Sequence, residues 1–179
     1  MDRFMGLLEE RVRSIRVGDP LDPATEMGPL ISAGHRESVA SFLDDGEQIA
    51  CQGEAPDGPG YWFAPTVLAP VSRESRVMRE EVFGPIVAVV PFRDEEDAVT
   101  LANDTIYGLS GSIWTRDGAR ALRVVRAVES GVLSVNSNSS VRVSTPFGGM
   151  KQSGFGRELG MHALDGYCDV KNVFISTED

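Results

Sequence analysis

An α/β fold with an open, mainly parallel sheet and flanking helices is what this 179-residue sequence predicts. Three observations carry that expectation. From Pro85 to Val135, strand-like apolar runs alternate with stretches of helical period, in the order β-α-β-α-β. Ahead of it, two further helical patterns precede two short β-like runs. Finally, 41% hydrophobic against 25% charged residues is an ordinary globular balance, in a chain long enough to bury about 70% of its unfolded surface.

The first helix is expected to start at Asp2 as its cap, because Phe4, Leu8, Val12 and Ile15 recur at the three-four spacing of one buried face. Gly18-Asp19-Pro20-Leu21-Asp22-Pro23 ends that pattern, since each proline removes a donor and disfavours helix at the residue before it. A second helix is expected from Ser32 to about Asp45, burying Val39, Phe42 and Leu43. Strands follow at Gln48 to Gln52 and Trp62 to Leu68, joined by the Gly/Pro-rich turn from Glu54 to Gly60.

Ile86-Val87-Ala88-Val89-Val90 is apolar at every position, the signature of a central parallel strand covered on both faces. Asp94 and the acids Glu95, Glu96 and Asp97 then open a helix with negative charge at its positive dipole end, burying Ala98, Leu101 and Ala102. A strand from Leu109 to Thr115 comes next, followed by a helix from Asp117 to Glu129 that buries Leu122, Val125 and Val128. Gly131 to Val135 completes the alternation as a strand. A short helix from Glu158 to Ala163 and an alternating strand from Val170 to Ser176 finish the chain. The organisation expected is one domain over 1–165 and a strand over 166–179 that leaves it.

Charge and composition narrow the function classes. A formal charge of -10, with no basic stripe or RNA-binding aromatic motif to offset it, argues against nucleic acid. No apolar run approaches the ~18 residues of a membrane span, and Met1-Asp2-Arg3-Phe4 has no signal-peptide character, so a cytoplasmic protein is expected. Cys51 and Cys168 stand in no metal or redox spacing and are expected to be reduced thiols. No metal site is expected. His35 and His162 have no Ser, Cys or carboxylate at dyad spacing and read as surface helix residues.

Candidate functional residues cluster in three places. Pro146 to Gly160 carries five glycines in fifteen residues, too many for helix or strand, and reads as a shaped loop presenting Phe147, Lys151, Arg157 and Glu158. Its Gly154-Phe155-Gly156 is not a dinucleotide fingerprint, because Gly160 is one place late and no strand precedes it. Glu81, beside the turn Phe83-Gly84-Pro85, offers a carboxylate that can accept two hydrogen bonds from a ribose diol with Phe83 against the ring above. The competing reading has Glu80 and Glu81 capping a short helix and Phe83 in the core. Asn136 ends a strand where α/β sheets place ligands, or makes an Asx turn there.

These motifs together resemble the C-terminal part of the NAD(P)-dependent aldehyde dehydrogenases. The resemblance runs through Gly18-Asp19-Pro20, Gly28-Pro29-Leu30-Ile31, Phe63-Ala64-Pro65-Thr66-Val67, Glu81-Val82-Phe83-Gly84-Pro85, Asn103 to Ser110, Asn136 and Pro146 to Gly160. It implies that Glu81 and Phe83 bind the nicotinamide ribose of NAD or NADP. It likewise implies that Asn136, Ser137, Ser139, Val141 and Phe147 line the aldehyde pocket, and that Asn138 to Thr145 is the segment where family members differ and substrate range is set. Lys151, Arg157 and Glu158 it makes structural, Arg157 and Glu158 as a buried pair.

The same resemblance implies oxidation of an aldehyde to a carboxylic acid through a cysteine thioester, and a homo-oligomer built through the last strand. It puts the nucleophilic cysteine, the general-base glutamate and the glycine-rich cofactor loop ahead of the first helix. Neither Cys51 nor Cys168 matches that nucleophile, so no catalytic residue is assigned and these 179 residues alone are expected to be inactive. The alternative function is a non-catalytic oligomerisation or assembly module.

Overall fold

The computed structural model describes residues 1–139 and 141–177. The chain forms two compact units, Met1–Arg93 and Asp94–Asp179, a division that falls inside the 1–165 segment.

In the first unit, α1 (Asp2–Arg13) has Met1 at its N-cap, so Asp2 lies in the first turn, where its charge faces the positive dipole end without making a capping bond. Val12 joins Cys51, Val67 and Ala69 in a core cluster, with Met5, Leu8, Ala50 and Val89 packed around it. Phe4, expected in the buried face, is 58% exposed. After α1 the chain turns through Asp19 and Asp22, whose carboxylates accept from the backbone N–H of Leu21 (2.9 Å) and Ala24 (2.8 Å).

Helix α2 (Ala33–Ala40) is capped by Ser32 Oγ, which accepts from His35 N at 3.1 Å. It stops five residues before the expected Asp45. The continuation relaxes into i→i+3 bonds, from Phe42 N to Val39 O (3.3 Å) and Leu43 N to Ala40 O (2.9 Å). Ser41 Oγ bonding back to Ser38 O at 2.7 Å competes with the α-helical pattern at that point. Val39 and Phe42 are nevertheless buried, as expected, whereas Leu43 is only half-buried.

Strands β1 (Ile49–Gln52) and β2 (Thr66–Leu68) pair antiparallel, Cys51 opposite Val67, with a bulge between Ile49 and Cys51. Helix α3 (Arg76–Arg79) then leads to β3 (Ile86–Ala88), which pairs parallel with β2. The order is β1-β2-β3, so the central, wholly buried strand is β2, and β3 is an edge with Val87 48% exposed. This corrects the central position expected for Ile86 to Val90: an apolar run specifies burial, whereas pairing on both sides depends on which other strands arrive.

The second unit opens with α4 (Glu95–Asn103), capped by Asp94 Oδ1 accepting from Asp97 N at 2.9 Å. Strand β4 (Tyr107–Gly108) is followed by β5 (Ser110–Ile113), α5 (Gly118–Ala127) and β6 (Val132–Val135). β5 and β6 pair parallel with α5 as the crossover, the βαβ unit expected. Asp117 caps α5 by accepting from Arg120 N at 3.1 Å. The buried side of α5 is centred on Ala121, and Leu122 is 60% exposed, contrary to expectation. Glu95 ties α4 to α5 by accepting from Arg123 (2.7 and 2.8 Å) and Arg120 (3.1 Å), and those guanidiniums hold its carboxyl below the usual range.

Strand β7 (Met150–Lys151) returns antiparallel to β4. The helix expected over Glu158 to Ala163 is absent at its start. Glu158 instead exchanges two 2.7 Å backbone bonds with Phe147, and Leu159 (φ 60°) and Gly160 (φ 59°) are both left-handed, which no right-handed helix can contain. A 3₁₀ helix forms only at Met161–Gly166. Residues 167–177 carry no regular structure, and Val170, Val173, Phe174 and Ile175 are exposed; positions 178–179 of the expected last strand lie outside the described residues.

Candidate functional site

The first locus is the turn between α3 and β3. Arg76 stacks over the ring of Phe42 at 3.9 Å, donates to Ser41 Oγ at 3.3 Å, and donates from Nε to Glu80 Oε2 at 2.9 Å. One arginine thereby docks α3 on the α2 end and occupies Glu80, its i,i+4 neighbour. Glu81 is exposed. The two adjacent carboxylates, equivalent by type, are separated by the fold into a bound one and an available one.

Phe83 follows in a left-handed conformation (φ 52°) and is 74% exposed, so it is a displayed ring rather than a core residue. The turn is anchored from α2. His35 Nε2 lies 2.8 Å from the Phe83 carbonyl oxygen, and the two rings are 6.2 Å apart, tilted at 45°. One turn along the helix, Val39 presses on Gly84 so closely that a Cβ there would lie 2.6 Å from Val39 Cγ2. Beyond it, the Pro85 carbonyl accepts from Thr66 N at 2.9 Å, and the chain enters the sheet. His35 is therefore no mere surface residue, as the sequence suggested. The i,i+4 spacing of His35 and Val39 on one helix face was the signal available.

The second locus surrounds the end of β6. Asn136 (φ 53°) accepts from Thr115 N and donates to Thr115 O, both at 2.9 Å, while its own N–H donates to Ile113 O at 2.8 Å. Its amide thus imitates one more rung of the β5–β6 ladder. Ser137 O accepts from Ser134 Oγ at 2.7 Å, and Ser137 Oγ accepts from Ser139 N at 3.1 Å. Val141 is exposed and Phe147 half-buried. Ser140, within the variable segment, lies outside the described residues.

The glycine-rich loop is stitched by its own polar side chains. Lys151 (φ 53°) donates to Asn103 O (2.8 Å) and Thr105 O (3.1 Å), closing the C-terminal end of α4, and pairs with Glu129 at 2.8 Å. Asn103 bridges to Ala127 O (2.9 Å) and Glu129 N (2.8 Å) at the end of α5. Ser153 Oγ accepts from Gly108 N at 3.0 Å. Arg157 donates to Gly149 O (2.8 Å) and Gly156 O (2.6 Å), while Glu158 is exposed. The buried Arg157–Glu158 pair expected from the resemblance is replaced by a guanidinium holding loop carbonyls. Asn103, a junction of this network, was not singled out in the sequence.

Burial pushes the Cys51 thiol up, with Glu9 adding to the effect, the opposite direction from an activated nucleophile. Cys168 is exposed. Among the described residues no three His, Cys, Asp or Glu side chains gather to hold a metal, and no helix is long and apolar enough to cross a membrane.

The sequence profile of the aldehyde dehydrogenase family matches residues 1–173. The chain belongs to the aldehyde dehydrogenase family. It is 41% identical over 182 residues to the betaine aldehyde dehydrogenase of Brucella anthropi, covering 97% of this chain and 37% of that protein. It is 42% identical over 178 residues to that of Cereibacter sphaeroides, again covering 97% and 37%. Among solved structures, betaine aldehyde dehydrogenase from Staphylococcus aureus in complex with NAD+ is similar, with a TM-score of 0.87, 41% identity, and 93% of this chain covering 35% of that one. The chain thus spans little more than a third of the length of these family members, 37% in the first.

Proposed function

We propose that this chain supplies the C-terminal part of the catalytic machinery of an NAD- or NADP-dependent aldehyde dehydrogenase, an oxidoreductase of the cytoplasm. The observation that carries the reading is the Glu81–Phe83 turn. An exposed carboxylate and an exposed ring stand on a backbone that α2 restrains, beside a second carboxylate already bound by Arg76. Such a pair fits a nicotinamide ribose: Glu81 accepts from the two hydroxyls and Phe83 lies against the ring system. The cofactor, when bound, accepts the hydride from the aldehyde carbon. The name and bound NAD+ of the Staphylococcus aureus relative support this assignment.

In the same reading, Ser137, Ser139, Val141 and Phe147 line the aldehyde pocket, and Asn136 fixes the strand end from which that wall departs. The body of 1–165 is then one part of a catalytic domain, and 166–179 is an arm that pairs with a partner subunit. The exposure of Val170, Val173, Phe174 and Ile175 supports the arm, and it also supports the second reading, a non-catalytic assembly module.

Titration of the chain with nicotinamide mononucleotide, followed by NMR, separates the two readings. Millimolar binding that Glu81→Gln weakens about 10-fold or more is expected for the cofactor turn, since a hydrogen bond to a charged acceptor contributes about 1.5–3 kcal/mol. Binding by neither parent nor variant leaves the assembly module.

A further inference from the structure

We propose that His35 is a positioning residue of the cofactor turn: its Nε2–H bond to the Phe83 carbonyl selects the peptide orientation in which Phe83 and Glu81 face the nicotinamide riboside. The inference rests on the reading of Glu81 and Phe83 given above and extends it to a residue on another helix.

Four observations converge on it. A carbonyl oxygen only accepts, so in the 2.8 Å contact His35 Nε2 is the donor. The ring's other nitrogen, Nδ1, is buried with no hydrogen-bond partner. An aliphatic or phenyl side chain would fill the same space without an orphaned polar atom, so packing alone does not account for histidine, whereas a required donor at Nε2 does. The carbonyl it holds belongs to a non-glycine residue with φ 52°, a conformation that persists only where the surroundings over-determine it. Gly84, next in the chain, is pressed by Val39 from the same helix face, so α2 restrains both sides of the Phe83–Gly84 peptide.

Without the Nε2 bond, Phe83 is free to return to negative φ, which swings its ring and re-aims the preceding Glu81. The effect falls on the nicotinamide end of the ligand and leaves the unit's fold intact, because Val39 and Phe42 remain in the core.

The test uses the whole 179-residue chain, isotope-labelled, as parent, H35Q, H35L and E81Q. The glutamine amide reaches the position of His35 Nε2 and keeps a donor; leucine does not. The ligand-free reporter is hydrogen exchange of the Ile86 N–H, which donates to Gly84 O at 2.8 Å across the turn. The ligand probe is nicotinamide mononucleotide.

Exchange of Ile86 about 10-fold faster in H35L and near parental in H35Q, at matching urea midpoints, is the expected result. Binding of the probe should be weaker by about 5-fold or more in H35L and recovered in H35Q. If H35L does not fold, H35F fills the ring volume without a donor and takes its place. Parental Ile86 protection in H35L or H35F overturns the proposal, as does an H35Q variant as impaired as H35L. If exchange follows the donor but the parent and E81Q respond identically to the probe, the cofactor reading fails and the hold of His35 on the turn stands.

Discussion

The Glu80–Pro85 turn and the Pro146–Gly160 loop both depart from regular backbone, yet they treat their side chains in opposite ways. Each contains non-glycine residues in the left-handed region, Phe83 in one, Lys151 and Leu159 in the other. In the loop, Lys151, Ser153 and Arg157 are spent on carbonyls and N–H groups of the loop and of the elements beneath it. In the turn, restraint comes from outside, from His35, Val39 and Arg76, and the turn's own Glu81 and Phe83 remain exposed. Backbone irregularity alone does not mark a binding surface. In the reading proposed above, the turn binds because its irregular backbone is held by other residues, which leaves Glu81 and Phe83 available.

The largest expected effect would break this division of roles outright. The isolated chain should give no steady production of reduced cofactor with NAD or NADP and a panel of short aliphatic and aromatic aldehydes, read by absorbance. Cys51 is buried among Val12, Val67 and Ala69 with its thiol pKa raised, and removing a nucleophile removes the covalent path itself. Turnover abolished by Cys51→Ser or Cys168→Ser would overturn both the assignment and the comparison.

Stability should divide the two regions next. At Gly131 a methyl would run into the Gly148 carbonyl, which is backbone and cannot rotate away, so Gly131→Ala should lower unfolding free energy by about 3 kcal/mol. At Gly84 the obstacle is the Val39 side chain, and Gly84→Ala should cost about 1–2 kcal/mol. Urea midpoints in the reverse order would place the greater constraint on the turn.

Lys151→Met should cost about 1–2 kcal/mol in the same assay. It removes a charged donor from two carbonyls and from Glu129, discounted for the partial exposure of the ammonium group. Glu81→Gln should change stability by less than about 0.5 kcal/mol, as expected for an exposed side chain outside any network. A destabilising Glu81→Gln would make the turn another stitched loop.

The smallest effect is on acid stability. Glu26 is held below its usual pKa by Arg11 and Arg16, Glu95 by Arg123 and Arg120, and Asp117 by the Arg120 backbone N–H. A carboxylate depressed in the folded state contributes stability above its unfolded pKa and loses it as pH falls through the folded one. Urea midpoints should therefore be flat from about pH 7 to 5 and fall below about pH 4. All three acids belong to scaffold contacts and none to the cofactor turn.

Much of the local structure was legible because its causes sit within four residues of each other. Ser32, Asp94 and Asp117 cap the helices they precede, and the βαβ unit of β5, α5 and β6 follows from periodicity. The family itself was legible from motif order, and the profile match over residues 1–173 agrees. Expectations missed where the deciding partner is remote. Leu122 sits on a helical stripe but outside the face that α5 buries, and among the described residues the run at Ile86 is the edge of the β1-β2-β3 sheet, paired with β2.

By itself, then, the sequence determined the family, the caps Ser32, Asp94 and Asp117, and the βαβ unit of the second half, and it nominated Glu81, Phe83, Asn136 and Phe147 as candidates. Only the tertiary structure decided which of Glu80 and Glu81 is available, that Asn136 is committed to Thr115, and that His35 holds the turn. The last two run through Asn136 to Thr115 and His35 to Phe83, pairs 21 and 48 positions apart, whereas the first joins a local bond, Arg76 to Glu80, to the remote docking of Arg76 on Ser41, 35 positions away. Residue type shows that a carboxylate or an imidazole can bond, but the partner is chosen by folding, when packing of α2, α3 and the sheet brings distant groups within hydrogen-bond reach.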